Sequence, residues 1–321
     1  APVMPWLGQN IEDLENLDAA LLIGSHVRKE QPLIAHRLRK AAVHNAAKIS
    51  FVNTREFDWH FPVAHQCVAS ASGMLDDLAD IAKSTFELSG ESVPAHLAAV
   101  INAAVIIDVH KQIAEDLKQA EKATVLLGNM AIQHPQLSVL RKLADAIAKQ
   151  TGNVLGYLPE QANTTGAWLA GAVPHRGPAG SAVENKGKTA TEMQADACKA
   201  VLTFNIEPEF DAVNGARALE SVRRAECVVS ISSYFTESMK EYADVILPLA
   251  AFTETSGTYV NAEGFWQSFK GVTAPLGEAR PGWKILRVMG NLFNLDGFDY
   301  VSSEEIKDEL KQQCQDIQLD N

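Results

Sequence analysis

Short apolar runs of strand length recur along the chain, and most are continuous rather than alternating. They are Ala19–Ile23, Ile49–Val52, Ala123–Leu127, Ala200–Phe204, Cys227–Ile231 and Asp244–Leu247. A strand with one face in water alternates apolar and polar residues, because successive side chains point to opposite faces. A run that is apolar throughout calls for cover on both faces, as in a parallel sheet between layers of helices. Helical patterns lie between the runs. Gln31–Ala42 carries Leu33, Ile34, Leu38 and Ala41 at helical spacing beneath a basic face of Arg37, Arg39 and Lys40. Leu137–Ala148 carries Leu137, Leu140, Leu143, Ala144 and Ile147. Strand and helix in alternation predict a doubly wound, mostly parallel, Rossmann-like α/β architecture.

Residues 65–122 interrupt this rhythm with three consecutive helical patterns, Met74–Leu88, Val93–Ile107 and Lys111–Lys122, read as a helical insertion. Residues 166–190, rich in Gly and Pro, read as a long loop, and such a loop inside a compact domain is usually functional or mobile. After Leu276 come a Pro-Gly turn, a helix at Trp283–Phe293 and a polar helix at Ser303–Gln315. The 321 residues are comfortable for two domains. The expected division is 1–58 as the closing part of a first Rossmann-like unit, 59–270 as a second, and 271–321 as a helical extension.

A net charge of −12 argues against a nucleic-acid surface, which needs clustered Lys and Arg. The best apolar run, Leu97–Ile107, is interrupted by Asn102 and is too short for a membrane span. The opening APVMPWLGQN lacks the basic start and apolar core of a signal peptide. Cys67, Cys198, Cys227 and Cys314 stand far apart, with no CxxC, no tight run for an iron–sulfur cluster and no Cys–His spacing suited to zinc. They read as buried small hydrophobes in a reducing cytoplasm. There is no HExxH; His60 and His65 are separated by Pro62, and packed or surface histidines are the expectation. There is no GxSxG either. No residue is put forward as catalytic or as a metal ligand.

None of the twenty glycines has another two positions away, so GxGxxG and the P-loop are absent. The strand-end turns Gly24-Ser25 and Gly128-Asn129 each precede a helix start, where backbone N–H groups meet anions. The plainer reading, a glycine that lets the chain turn, is favoured. The strongest candidate is residues 243–269, ADVILPLAAFTETSGTYVNAEGFWQSF. In a parallel sheet ligands bind outside the carboxyl ends of the strands, and this stretch follows such an end. Glu254, Thr258, Asn261 and Glu263 offer hydrogen bonds to a polar heterocycle, and Gly257 and Gly264 permit close approach of the backbone. Composition alone leaves this level with a structural cap of the sheet edge.

That stretch resembles the segment of the molybdopterin oxidoreductase family that runs "ADVVLP, then Glu, Gly-Thr, Asn, Glu-Gly-Arg, Gln". Others follow in the same order. LDAALLIGSHVRKEQPLIAHRLRKAA resembles the family's strand, Gly, and Arg-Glu before a helix. GYLPEQANTTGAWLAGAVPHR and FNIEPEFDA resemble its segments bearing Ala-Asn, Gly-Ala and Glu-Pro. The wording Ala-Gly-Ala-Val-Pro-His-Arg is closest to the branch formed by the G subunits of bacterial NADH-quinone oxidoreductase, respiratory complex I.

The resemblance implies a molybdopterin-oxidoreductase-like fold. It also implies the carboxyl-terminal part of a peripheral-arm subunit, with iron–sulfur clusters in regions upstream. Its partners would be other complex I subunits, on the cytoplasmic side of the bacterial inner membrane, with no nucleic acid and no direct membrane insertion. The family usually places Arg after Glu-Gly, where this chain has Phe265. Arg grips phosphate or pterin through charge-assisted bonds worth about 1.5–3 kcal/mol each, and Phe cannot. The implied role is a scaffold with no redox centre of its own, inactive in isolation. Gly24, Gly128, Asn129, Glu254, Gly257, Thr258, Asn261, Glu263 and Phe265 would then be remnants of a pterin site that no longer holds molybdopterin. Two rivals stay open: a molybdenum or tungsten bis-pterin oxidoreductase such as a formate dehydrogenase, and a non-catalytic anion- or nucleotide-binding module.

Overall fold

The computed structural model describes residues 4–196, 198–317 and 321, and the chain divides into two units. The first runs to Gly166 and takes in Val260–Phe265; the second comprises Ala167–Tyr259 and Trp266–Ile317.

Unit 1 is a five-stranded parallel sheet of β1 (Ala19–Ile23), β2 (Lys48–Asn53), β3 (His65–Val68), β4 (Ala123–Leu127) and β5 (Val154–Tyr157), in the order β3-β2-β1-β4-β5. Its helices are α1 (Val27–Glu30), α2 (Pro32–His44), α3 (Gly73–Ser89), α4 (Ala95–Ala103), α5 (Asp108–Gln119), α6 (Asn129–Ile132) and α7 (Leu137–Thr151). The continuous apolar runs are explained by two cores, one on each face of the sheet. Ala19, Leu21, Ile23, Val125 and Leu127 pack with α3, α5 and α7, whereas Ala20, Leu22, Ile49, Phe51 and Leu126 pack with α2. Every β1 and β4 residue is buried. Each fully buried Leu or Ile there contributes about 1.5–3 kcal/mol.

One sheet therefore joins strands on either side of residue 58, so the expected boundary there falls inside a unit, and the division lies near residue 166 instead. The stretch at 65–122 is likewise not a pure insertion. It opens with β3, an edge strand, and its three helices form the crossover from β3 to β4. The second pattern, expected to run to Ile107, stops at Ala103 because tertiary groups capture the next backbone atoms. Lys83 Nζ donates to the Ala104 carbonyl (2.8 Å), and Asp80 Oδ1 accepts the Val105 N–H (2.7 Å).

After α8 (Thr164–Leu169), unit 2 contains α9 (Ala190–Ala195) and a three-stranded parallel sheet, β6 (Ala200–Phe204), β7 (Cys227–Ser232) and β8 (Val245–Pro248). Short α10 (Pro208–Asp211), α11 (Gly215–Arg223) and α12 (Met239–Tyr242) lie between the strands. A hairpin, β9 (Gly257–Val260) with β10 (Trp266–Phe269), follows, then α13 (Gly282–Leu292) and α14 (Ser303–Gln313). These last helices belong to unit 2 rather than to a separate extension. The small core unites Val222, Val228, Met239 and Tyr242. The strands here are not buried on both faces: Leu202, Phe204 and Val245 are exposed, and β8 is an edge strand.

Candidate functional site

In the order β3-β2-β1-β4-β5, the chain leaves β1 and β4 in opposite directions, so the carboxyl ends of β1 and β4 flank a topological switch point. Ligands of open α/β sheets bind there. The two glycine turns expected from the sequence meet at this point. Gly24 N–H donates to the Val52 carbonyl and Gly128 N–H to the Ile23 carbonyl, each at 2.8 Å; Met130 N–H donates to the Gly24 carbonyl at 2.9 Å. Gly24 is left-handed (φ +60°), and a Cβ there would stand 2.5 Å from the Ala131 nitrogen. A Cβ on Gly128 would collide with Ser25. Both glycines therefore let one turn close on the other. Asn129 opens the single-turn α6, its carbonyl accepting the Gln133 N–H (2.9 Å).

Beyond Gly24 the backbone is held from three sides. The buried Ser25 N–H donates to Asn53 Oδ1 (2.9 Å), and Asn53 Nδ2 returns a bond to the Ser25 carbonyl (3.0 Å). Glu30 Oε2 accepts from both the Ser25 hydroxyl and the His26 N–H, each at 3.2 Å. Burial pushes the Glu30 carboxyl above its ordinary range, against the lowering effect of those two bonds. His26 stacks on Phe57 with ring centroids 4.1 Å apart. Burial, with Arg28, Lys29 and Arg55 adding to it, lowers the pKa of His26. Glu30 entered the sequence reading only within the Arg-Glu resemblance, with no role given to it, and Asn53 not at all. The available signal was a carboxylate one helical turn beyond a strand-end glycine.

The six candidates at 254–265 divide between the units. In unit 2, Glu254 Oε2 accepts the Ala251 N–H (3.1 Å), capping its own 3₁₀ turn. Glu254 also lines a cavity of about 500 Å³ with Ser256, Arg280, Trp283 and Lys284. Thr258 and Ser268 hydroxyls share a bond across the hairpin (2.9 Å), and a Cβ on Gly257 would press on the Phe269 ring at 2.7 Å.

In unit 1, Asn261 organises the hairpin tip. Its Oδ1 accepts from the Glu263 N–H (3.0 Å) and the Phe265 N–H (2.9 Å), while Nδ2 donates to Glu263 Oε2 (2.9 Å). Glu263 Oε1 accepts the Ile11 N–H (2.6 Å). Asn163, the Asn of the Ala-Asn segment that carried part of the resemblance, takes the Val260 N–H (2.9 Å). The side chains of Glu254, Asn261 and Glu263 thus hold backbone groups of the chain. Phe265 is exposed and lines a cavity of about 400 Å³ with Arg37 and Glu263. Arg37 and Lys40 both pair with Glu15. Their hydrogen bonds, Lys40 first, hold the Glu15 carboxyl below its usual range.

The sequence matches the molybdopterin oxidoreductase family over residues 3–291. It is 26% identical over 286 residues to the mitochondrial NADH-ubiquinone oxidoreductase 78 kDa subunit of Candida albicans, covering 88% of this chain and 32% of that protein. It is 27% identical over 350 residues to the F420-dependent formate dehydrogenase subunit alpha of Methanocaldococcus jannaschii, covering 94% of this chain and 51% of that one. Acetylene hydratase from Pelobacter acetylenicus shares the fold, with a TM-score of 0.58 at 14% identity over 90% of this chain and 51% of that chain. The chain spans about a third of the length of the first of these curated relatives and about half of the second.

Proposed function

The chain belongs to the molybdopterin oxidoreductase family, and from that premise we propose that it is the α/β scaffold of a G-type subunit of an NADH-quinone oxidoreductase. In this reading it keeps the family's fold without holding a pterin and carries no electron itself. The whole complex passes electrons from NADH to quinone through iron–sulfur clusters borne on regions upstream of this one. The likeness to the NADH-ubiquinone oxidoreductase subunit supports the assignment.

The observation that carries the reading is the Glu30 carboxylate. A pyrophosphate-bearing cofactor at the switch point needs free N–H donors and positive charge. Here Glu30 already accepts the His26 N–H and the Ser25 hydroxyl. The Gly24, Ser25, Gly128 and Met130 N–H groups are all paired within the chain. A second anion brought against Glu30 would meet repulsion in a region of low dielectric, where charges interact more strongly than in water. The residues present do not fit the phosphate end of a pterin cofactor, and no reaction step is routed through one. Phe265 in place of the family's Arg points the same way.

The partners in this reading are the other peripheral-arm subunits, and the complex places the chain against the cytoplasmic face of a bacterial inner membrane. Among the described residues no helix is long and apolar enough to cross it. The formate dehydrogenase relative favours a second reading, a bis-pterin oxidoreductase. Affinity isolation of the tagged native protein from solubilised membranes separates the two. The proposal expects stoichiometric NADH-quinone oxidoreductase subunits and NADH oxidation. Isolation with bound molybdenum and formate-oxidising activity overturns it.

A further inference from the structure

Cys67 on β3, Asp77 on α3 and His110 on α5 converge beneath the edge of the five-stranded sheet, far from one another in sequence. Their ligand atoms all lie within 4.8 Å of one another, and Cys67 and His110 are buried. We propose that these three residues bind one divalent transition-metal ion of the zinc class.

The ring of His110 has a carboxylate at each nitrogen. Nε2 lies 3.1 Å from Asp77 Oδ1, and Nδ1 lies 3.5 Å from Asp80 Oδ2. Nδ1 also accepts the Ile107 N–H at 3.3 Å, so the ring serves as a cap for α5. That role leaves a remainder: Asp77 Oδ2 is buried with no hydrogen-bond partner. A buried carboxylate oxygen without a partner costs about 1–3 kcal/mol or more. Moving the ring proton to Nδ1, toward Asp80, frees the Nε2 lone pair beside Asp77 and Cys67. With the Ile107 bond given up and Asp80 closing from 3.5 Å to hydrogen-bond distance, this becomes the carboxylate–histidine–metal arrangement that orients metal-bound imidazoles.

The distances are close to what a tetrahedral ion needs. Nitrogen and oxygen ligands about 2.0–2.1 Å from zinc stand roughly 3.4 Å apart at tetrahedral angles, and a sulfur at about 2.3 Å stands roughly 3.6 Å from the nitrogen. The His110–Asp77 pair, at 3.1 Å, is already within a few tenths of an ångström. The thiol, within 4.8 Å of the other two ligand atoms, needs to close by no more than about 1.2 Å. Thiolate with imidazole and carboxylate selects zinc-like ions over calcium or magnesium, which take oxygen ligands. Binding forms the thiolate–metal bond and releases the thiol proton to solvent. The partial exposure of Asp77 gives the ion a route in.

Cobalt(II) is the probe, added to the full chain after chelator treatment. The expected result is one equivalent bound. A sulfur-to-cobalt charge-transfer band appears in the near ultraviolet, with intense tetrahedral bands in the visible, and zinc abolishes both. Cys67→Ser removes the near-ultraviolet band. The triple variant Cys198→Ser, Cys227→Ser, Cys314→Ser keeps it, and decides the matter even if the first variant fails to fold. Asp80→Asn, which touches the ring and not the ion, weakens binding roughly 10–100-fold. Absence of the band in the wild-type protein at equimolar cobalt overturns the proposal. So does its loss in the triple variant, which would place the metal on the other cysteines.

Discussion

The Glu30 carboxylate stands 3.2 Å from the backbone nitrogen of His26, at the carboxyl end of β1. This internal bond occupies the position where an open α/β sheet most often meets a ligand. It also has a pH signature. Burial raises the Glu30 pKa in the folded protein, so the folded state binds the proton more tightly than the unfolded chain. Below the ordinary carboxylate pKa of 4.5 this contribution is fully present, and it is lost as pH rises through the raised value. Glu30→Gln keeps an oxygen acceptor and removes the charge. The variant is expected to gain stability relative to wild type between pH 6 and 8, with the gap narrowing toward pH 4. Urea unfolding across that range measures it; a gap that widens on acidification contradicts the assignment.

Asn53 spans β2 to the β1 turn with two buried hydrogen bonds to Ser25. Asn53→Ala leaves the Ser25 N–H and carbonyl without partners, at about 1–3 kcal/mol each before relaxation. The expected loss is about 2–4 kcal/mol in urea unfolding. A loss under 1 kcal/mol would mean that water reaches the turn.

Gly24 and Gly90 share a left-handed backbone and differ in their surroundings. Gly90 ends α3 with nothing within 4 Å of an added Cβ, whereas Gly24 would bring one against the Ala131 backbone. Gly90→Ala should cost about 1–2 kcal/mol, the conformational term alone. Gly24→Ala should cost about 1–3 kcal/mol more, from overpacking. Equal losses would show that the two strand-end turns do not close on each other.

Phe265 is 56% exposed. It does not plug the hairpin tip, and the Asn261 bonds hold the turn without it. Phe265→Arg is expected to change stability by no more than about 0.5 kcal/mol, as for other surface substitutions. Thermal unfolding checks this; a loss above 2 kcal/mol would assign the ring a packing role.

Much of the sheet was legible because burial on both faces writes itself locally as an apolar run. Ala19–Ile23 and Ala123–Leu127 are strands over those same residues, buried throughout; Ala200–Phe204 is a strand as well, but its apolar run leaves Leu202 and Phe204 exposed. His65-Gln66-Cys67-Val68 hid because an edge strand buries only one residue in four. Without β3, the sheet could not be seen to run past residue 58. Val154–Tyr157 is short and carries Gly156, whose added Cβ would strike the Leu7 backbone. The end of α4 depends on Asp80 and Lys83, more than twenty residues away. The site was legible as positions and not as partners. Gly24 and Gly128 could be marked as strand-end turns, but their closure on each other follows from the adjacency of β1 and β4. The convergence of Cys67, Asp77 and His110 has no spacing at all, since three elements supply it.

The central claim is that the chain keeps the family's fold while its own Glu30 fills the anion position at the switch point. The most direct measurement is mass spectrometry of the organic molecules released from the full-length protein, made in a host that synthesises molybdopterin. The account predicts no pterin above trace, both in the native protein and in a Phe265→Arg variant. One pterin or more per chain in the native protein would contradict it and restore the bis-pterin enzyme reading.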